Sequence, residues 1–155
     1  MKQQIEDFIR YLQEVKHASL NTVRSYQNDL FKMESYLSRQ GIKTASKITE
    51  TSLNSYVLYL EKDGMSPASV SRNIASMKAF LLYLLRNGSI SHDPSERIKA
   101  PKVIKKPPYI LDEKKIIELL KQPDITTGKG IRDRAMLELL YATGIKVSEL
   151  INIRL

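Results

Sequence analysis

The stretch Tyr141-Ala142-Thr143-Gly144-Ile145-Lys146-Val147-Ser148-Glu149-Leu150 sets a cation just past a glycine and three residues ahead of an acid. Gly144 suits the left-handed position that closes a helix, so Lys146 is expected in the first turn of the next one. A cation there faces the positive end of the helix dipole, an unfavourable placement of about 0.3–1 kcal/mol. One reading is an exposed lysine relieved by Glu149. The other is an anion site, because a helix N-terminus and a cation together attract phosphate.

A second group of polar residues has helical spacing. Asn21, Arg24, Ser25 and Asn28 share one face of one stretch, and Ser69, Arg72 and Ser76 share a face of another, with Lys78 nearby. Small hydroxyl residues permit close approach, while Arg and Asn can hydrogen-bond guanine and adenine edges in the major groove. Arg72 suits a base edge or a phosphate, and the two remain open. Any exposed helix face is polar, so a plain solvated surface competes. Against it, the stretch from Ser66 to Gly88 holds Arg72, Lys78 and Arg86 and no Asp or Glu.

The elements that must carry these groups are helical throughout, an all-α chain. Ile5, Phe8, Ile9, Leu12 and Val15 mark one face of a helix over 2–16. A helix over 20–40 starts from Ser19 as cap and stops at Gly41, with Val23, Tyr26, Leu30, Met33 and Leu37 as its apolar stripe. Leu53, Tyr56, Val57 and Leu60 predict a third over 50–62, and Ser66-Pro67 opens a fourth that runs to Gly88. The second and fourth share Ser, Val, Tyr, Leu, Arg and Gly at a constant offset, from Ser19 and Ser66 to Gly41 and Gly88. Further helices are predicted over 112–121 and 130–143; the latter is apolar nearly all round and calls for burial on several sides.

Between these blocks, residues 89–111 hold four of the chain's six prolines (Pro94, Pro101, Pro107, Pro108). Arg97, Lys99, Lys102, Lys105 and Lys106 stand there without an anion between Arg97 and Leu111. This predicts an extended basic linker, with Lys102, Lys105 and Lys106 as a strap along a phosphate backbone. The expected organisation is a domain over 1–88, a linker over 89–111, and an incomplete second block over 112–155.

Bulk properties narrow the partners. The net charge of the 155 residues is +8, which favours a polyanion, though a merely soluble basic protein is compatible with it. There is no cysteine and only two histidines, His17 and His92, so thiolate or histidine metal sites are not expected. No apolar run approaches the ~20 residues of a membrane span and the N-terminus is unlike a signal peptide, so a cytoplasmic protein is expected.

The order of these parts resembles a known family. Four N-terminal helices, Asp93-Pro94, then Ala100-Pro101-Lys102, then the run from Arg132 to Leu150 are similar to the tyrosine site-specific recombinases, of Xer type and of phage or transposon integrases. The resemblance implies a SAM-like core-binding domain that clamps double-stranded DNA together with a catalytic domain. It also implies strand cleavage and rejoining through a 3′-phosphotyrosyl bond, with no metal or other cofactor, by four protomers on paired sites. The family's first catalytic arginine lies in the motif Ala-Thr-Gly-x-Arg-x-Ser-Glu-Leu, so the resemblance implies a catalytic role for Lys146. A lysine keeps the charge but not the planar fork. The family's remaining catalytic groups belong after residue 155, and none of the eight tyrosines matches the nucleophile. The chain is therefore expected to be the DNA-recognition half with the first catalytic-domain helices, monomeric by itself, binding DNA and cleaving none. A natural non-catalytic module that occupies recombination sites is the alternative.

Overall fold

The computed structural model of the chain describes residues 1–104 and 107–154, and these contain helices and no strand. The chain divides into two units, Met1–Lys105 and Lys106–Leu155.

The first unit holds α1 (Lys2–Glu14), α2 (Leu20–Arg39), a 3₁₀ turn (Ala45–Lys47), α3 (Glu50–Lys62) and α4 (Pro67–Arg86). The expected stripes form its core. Ile5, Phe8, Ile9 and Leu12 of α1 meet Val23, Leu30, Met33 and Leu37 of α2, Leu53, Tyr56 and Leu60 of α3, and Val70, Ile74, Met77, Phe80, Leu81 and Leu84 of α4. Aromatic pairs tie the layers: Tyr83 lies 5.2 Å from Phe8 and 5.0 Å from Tyr11, and Tyr36 lies 4.9 Å from Tyr59. Val15 departs from expectation. The helix ends at Glu14 and the backbone turns through a left-handed His17, so Val15 is 61% exposed.

The offset between the second and fourth helices is structural as well as sequential. Each is 20 residues long, and Ser19 and Ser66 each accept the backbone N–H three residues on at 3.3 Å. Their ends match too, and α3 shares the ending. Tyr36-Leu37, Tyr59-Leu60 and Tyr83-Leu84 are each followed, after three residues, by a glycine at φ +80°, +77° and +69°. In all three, the leucine carbonyl accepts the N–H of the residue after the glycine, at 2.9, 3.2 and 2.9 Å. This is the Schellman arrangement, which fits glycine because a Cβ strains the left-handed conformation.

The segment expected to be a linker begins as part of the core. Ile90, Pro94, Ser95 and Ile98 are buried. Asp93 organises the turn: its carboxylate accepts the Ser95 N–H at 2.8 Å and the Ser95 hydroxyl at 2.7 Å. Pro94 is thus a packed turn residue rather than a spacer.

The second unit holds α5 (Glu113–Lys121), α6 (Gly128–Thr143) and α7 (Val147–Leu150). Asp112 caps α5 through the Lys115 N–H at 2.9 Å. Before α6, Asp124 accepts from the Thr126 hydroxyl at 2.7 Å and its backbone N–H at 2.9 Å, and these bonds lower its carboxyl below the usual range. The Asp124 carbonyl lies so close to Gly130 that a Cβ there would run into it. Among the unit's described residues only Gly130 and Leu150 are buried, while Ile131, Tyr141, Val147 and Ile151 are mostly exposed. The apolar α6 is therefore not covered on several sides by the described residues.

Because Ile90 and Ile98 complete the first core, we expect residues 1–100 to unfold cooperatively and to be more stable than 1–88 by about 3 kcal/mol or more, from two buried aliphatic side chains. Urea unfolding of the two fragments followed by circular dichroism measures this; equal midpoints would place 89–98 outside the cooperative unit.

Candidate nucleic-acid interface

Helices α2 and α4 carry the polar residues singled out above, and a buried acid joins them. Asp29 lies beside the apolar stripe of α2, three residues after Tyr26 and four before Met33, and is 5% exposed. A carboxylate taken out of water needs donors. Arg72 supplies two, from Nε to Oδ2 and from Nη2 to Oδ1, both at 2.9 Å. The Asn73 amide gives a third to Oδ1 at 3.0 Å. Asn73 is fixed in turn: its Nδ2 also donates to the Ser69 carbonyl at 3.1 Å, and its Oδ1 accepts the Tyr56 hydroxyl at 3.0 Å.

The charges follow this geometry. Hydrogen bonding to Asp29 raises the Arg72 pKa above its ordinary value. Burial pushes the Tyr56 phenol well up, helped by the Asp29 charge, so it stays a neutral donor. The Arg72 side chain is nevertheless 47% exposed, so one side of the guanidinium is tied down and the other meets solvent.

Around this node, Asn21, Arg24 and Asn28 are exposed on α2 and Ser25 is half-buried. Among the described residues Arg24 has no ion pair. Ser69 is half-buried and shares a hydrogen bond with the capping Ser66 at 3.0 Å. Lys78 donates to the Glu96 carbonyl at 3.4 Å, which ties α4 to the folded end of the 89–98 segment. Ser76 does not belong to the exposed face. It is 0% exposed, and its hydroxyl donates to the Asn73 carbonyl at 2.9 Å, because α4 is buried on more than one side. Lys102 is exposed; Lys105 and Lys106 lie outside the described residues.

The comparison with known proteins now has a structure to attach to. Residues 5–88 match the family described as phage integrase, N-terminal SAM-like domain. The chain belongs to that family. Its relatives include the tyrosine recombinase XerD of Listeria innocua, 37% identical over the whole chain and 52% of the relative, and the tyrosine recombinase XerC of Roseiflexus sp., 36% identical over the whole chain and 50% of the relative. XerD of Staphylococcus haemolyticus is 38% identical over 97% of the chain and 51% of its own length. The chain thus spans about half the length of the curated relatives it matches.

In this integrase-family chain the matched residues 5–88 contain both the α2–α4 face and its buried acid. Lys146 lies in the other unit. Gly144 closes α6 in the left-handed conformation, at φ +66°. Lys146 is then the N-cap of the four-residue α7 rather than a first-turn residue, and its side chain is exposed. The Glu149 carboxylate accepts the Lys146 backbone N–H at 2.8 Å, so it satisfies the backbone rather than the ammonium. Asp29, Asn73 and Tyr56 are the residues that the polar pattern missed. The available signal was an acid at an inward position of a helix, which demands a partner. Among the described residues no cluster of His, Asp and Glu has a metal-binding arrangement, and no helix is long and apolar enough to cross a membrane.

Removing Arg72 strands a buried carboxylate. We expect Arg72→Ala to cost about 1–3 kcal/mol of unfolding free energy. We expect the Asp29→Ala/Arg72→Ala pair to cost less than the sum of the two single changes. Additive losses in urea unfolding would show that the two groups do not stabilise each other.

Proposed function

We propose that this chain is the DNA-holding part of a tyrosine recombinase. The observation that carries the reading is similarity along essentially the whole chain to proteins named tyrosine recombinases. The α2–α4 face, with Asn21, Arg24, Ser25, Asn28, Ser69 and Arg72, lies along the major groove. Lys78, held at the start of the basic segment, and Lys102, Lys105 and Lys106 follow the phosphate backbone. Lys78 keeps donor capacity for a phosphate beyond its one bond to Glu96, since an ammonium has three protons. The complete recombinase assembles as a tetramer on paired sites in the bacterial cytoplasm. It cleaves one strand through a tyrosine outside this chain, and no cofactor takes part. The apolar side chains exposed on α5, α6 and α7 are covered there by the remainder of the catalytic domain.

Lys146 has the catalytic arginine's place in this reading. An exposed ammonium beside a scissile phosphate stabilises the charge that grows on its oxygens during attack. It does so as a point charge, without the bidentate fork that orients the phosphate.

Two measurements test the proposal. The chain should bind a fluorescent duplex with an affinity that falls about 10²–10³-fold between 50 and 200 mM salt, for roughly four to six phosphate contacts. Anisotropy titrations that show no salt dependence, or no binding, would reject the DNA-holding role. In the complete recombinase, Lys146→Ala should slow covalent trapping on a suicide DNA substrate by about 10²-fold or more, with Lys146→Arg at least as fast as the natural residue. Unchanged trapping by Lys146→Ala would remove Lys146 from the chemistry.

A further inference from the structure

The exposed side of Arg72 is aimed by a residue that no DNA would touch. A guanidinium carries five N–H groups. The side-on pairing with Asp29 uses Nε–H and one Nη2–H, and the outer Nη1/Nη2 fork remains free. We infer that Asp29 is a positioning residue that makes Arg72 a reader of a guanine edge rather than a phosphate clamp. This rests on the DNA-holding role proposed above.

Two features of the node separate a base edge from a phosphate. The first is charge. Asp29 is 2.9 Å from Arg72 at both bonded atoms, so the pair is close to neutral. A neutral pair displaces little of the counterion atmosphere, which is the source of phosphate-backbone affinity. Its two parallel donors still match the O6 and N7 acceptors of guanine.

The second is rigidity. Asp29 is held by Asn73, and Asn73 by the Tyr56 hydroxyl and the Ser69 carbonyl, so residues of α2, α3 and α4 fix one direction for the fork. A phosphate can be met from many angles, whereas a bidentate base contact demands one. Arg24, exposed and outside any ion pair among the described residues, has the opposite character and suits a phosphate.

The experiment selects duplexes from a randomised library with the 155-residue chain and sequences those retained. Guanine should be enriched at a discrete position. Arg72→Lys keeps the charge and loses the fork, and Asp29→Asn keeps the shape and loses the counter-charge. Each should reduce that enrichment by at least about fivefold. On a non-specific duplex, Arg72→Lys should leave the slope of log affinity against log salt unchanged, whereas Asp29→Asn should steepen it by up to about one. Thermal melts establish that Asp29→Asn is folded; if it is not, Arg72→Lys decides alone. A guanine preference kept in Arg72→Lys or in folded Asp29→Asn overturns the inference. So does the absence of any base preference, or a uniform loss over all sequences with a shallower slope in Arg72→Lys. A chain that binds no duplex overturns the DNA-holding role, and this inference with it.

Discussion

A carboxylate with almost no access to water must be met by donors, and in this protein that requirement organises three helices. Apolar stripes bring α1 to α4 together, but hydrophobic attraction has no direction and tolerates sliding. Asp29 does not tolerate it. Its donors, Arg72 and Asn73, are on α4, and Asn73 takes its own hydrogen bond from Tyr56 on α3. Lys32, three residues further along α2, bonds to Asp63 and Met65 ahead of α4, so α2 and α4 run antiparallel with a defined register. A slip by one residue would leave the carboxylate buried without its partners, at a cost of several kcal/mol.

The helix lengths are set by other means. α2, α3 and α4 end in the same way, with a buried leucine whose carbonyl receives the residue past a left-handed glycine. The stop is local and short, and each is followed closely by the start of the next packed segment. α2 and α4 are thereby equal in length and similarly capped.

Much of this could be read from residue types and spacing. The caps at Ser19, Ser66 and Asp112, the apolar stripes and the glycine stops are local signals, and local signals determine where helices begin and end. What spacing did not disclose came from tertiary packing. Four prolines suggested a linker from 89 onward, but the Pro94 ring is buried and Ile90 and Ile98 close the core. Helical spacing placed Ser76 with Arg72, yet α4 is enclosed on more than one side, and the Ser76 hydroxyl donates to the Asn73 carbonyl one turn back. The same limit hid the candidate site's organising group. Sequence spacing shows neighbours on one helix, whereas Asp29 and Arg72 are neighbours across two.

The separation between these partners also bears on how the chain folds. Asp29 meets Arg72 and Asn73 across 43 and 44 residues. Helices with their own stops can form in about a microsecond. The carboxylate keeps its water until α2 and α4 have found each other, because losing it earlier would expose the full cost of an unpaired buried charge. The ion pair thus closes late, after the loop between its partners is already paid for by apolar contacts. Such an interaction contributes little to the speed of folding and much to the lifetime of the folded state. The residue that sets the register of the bundle is therefore also its latch against opening.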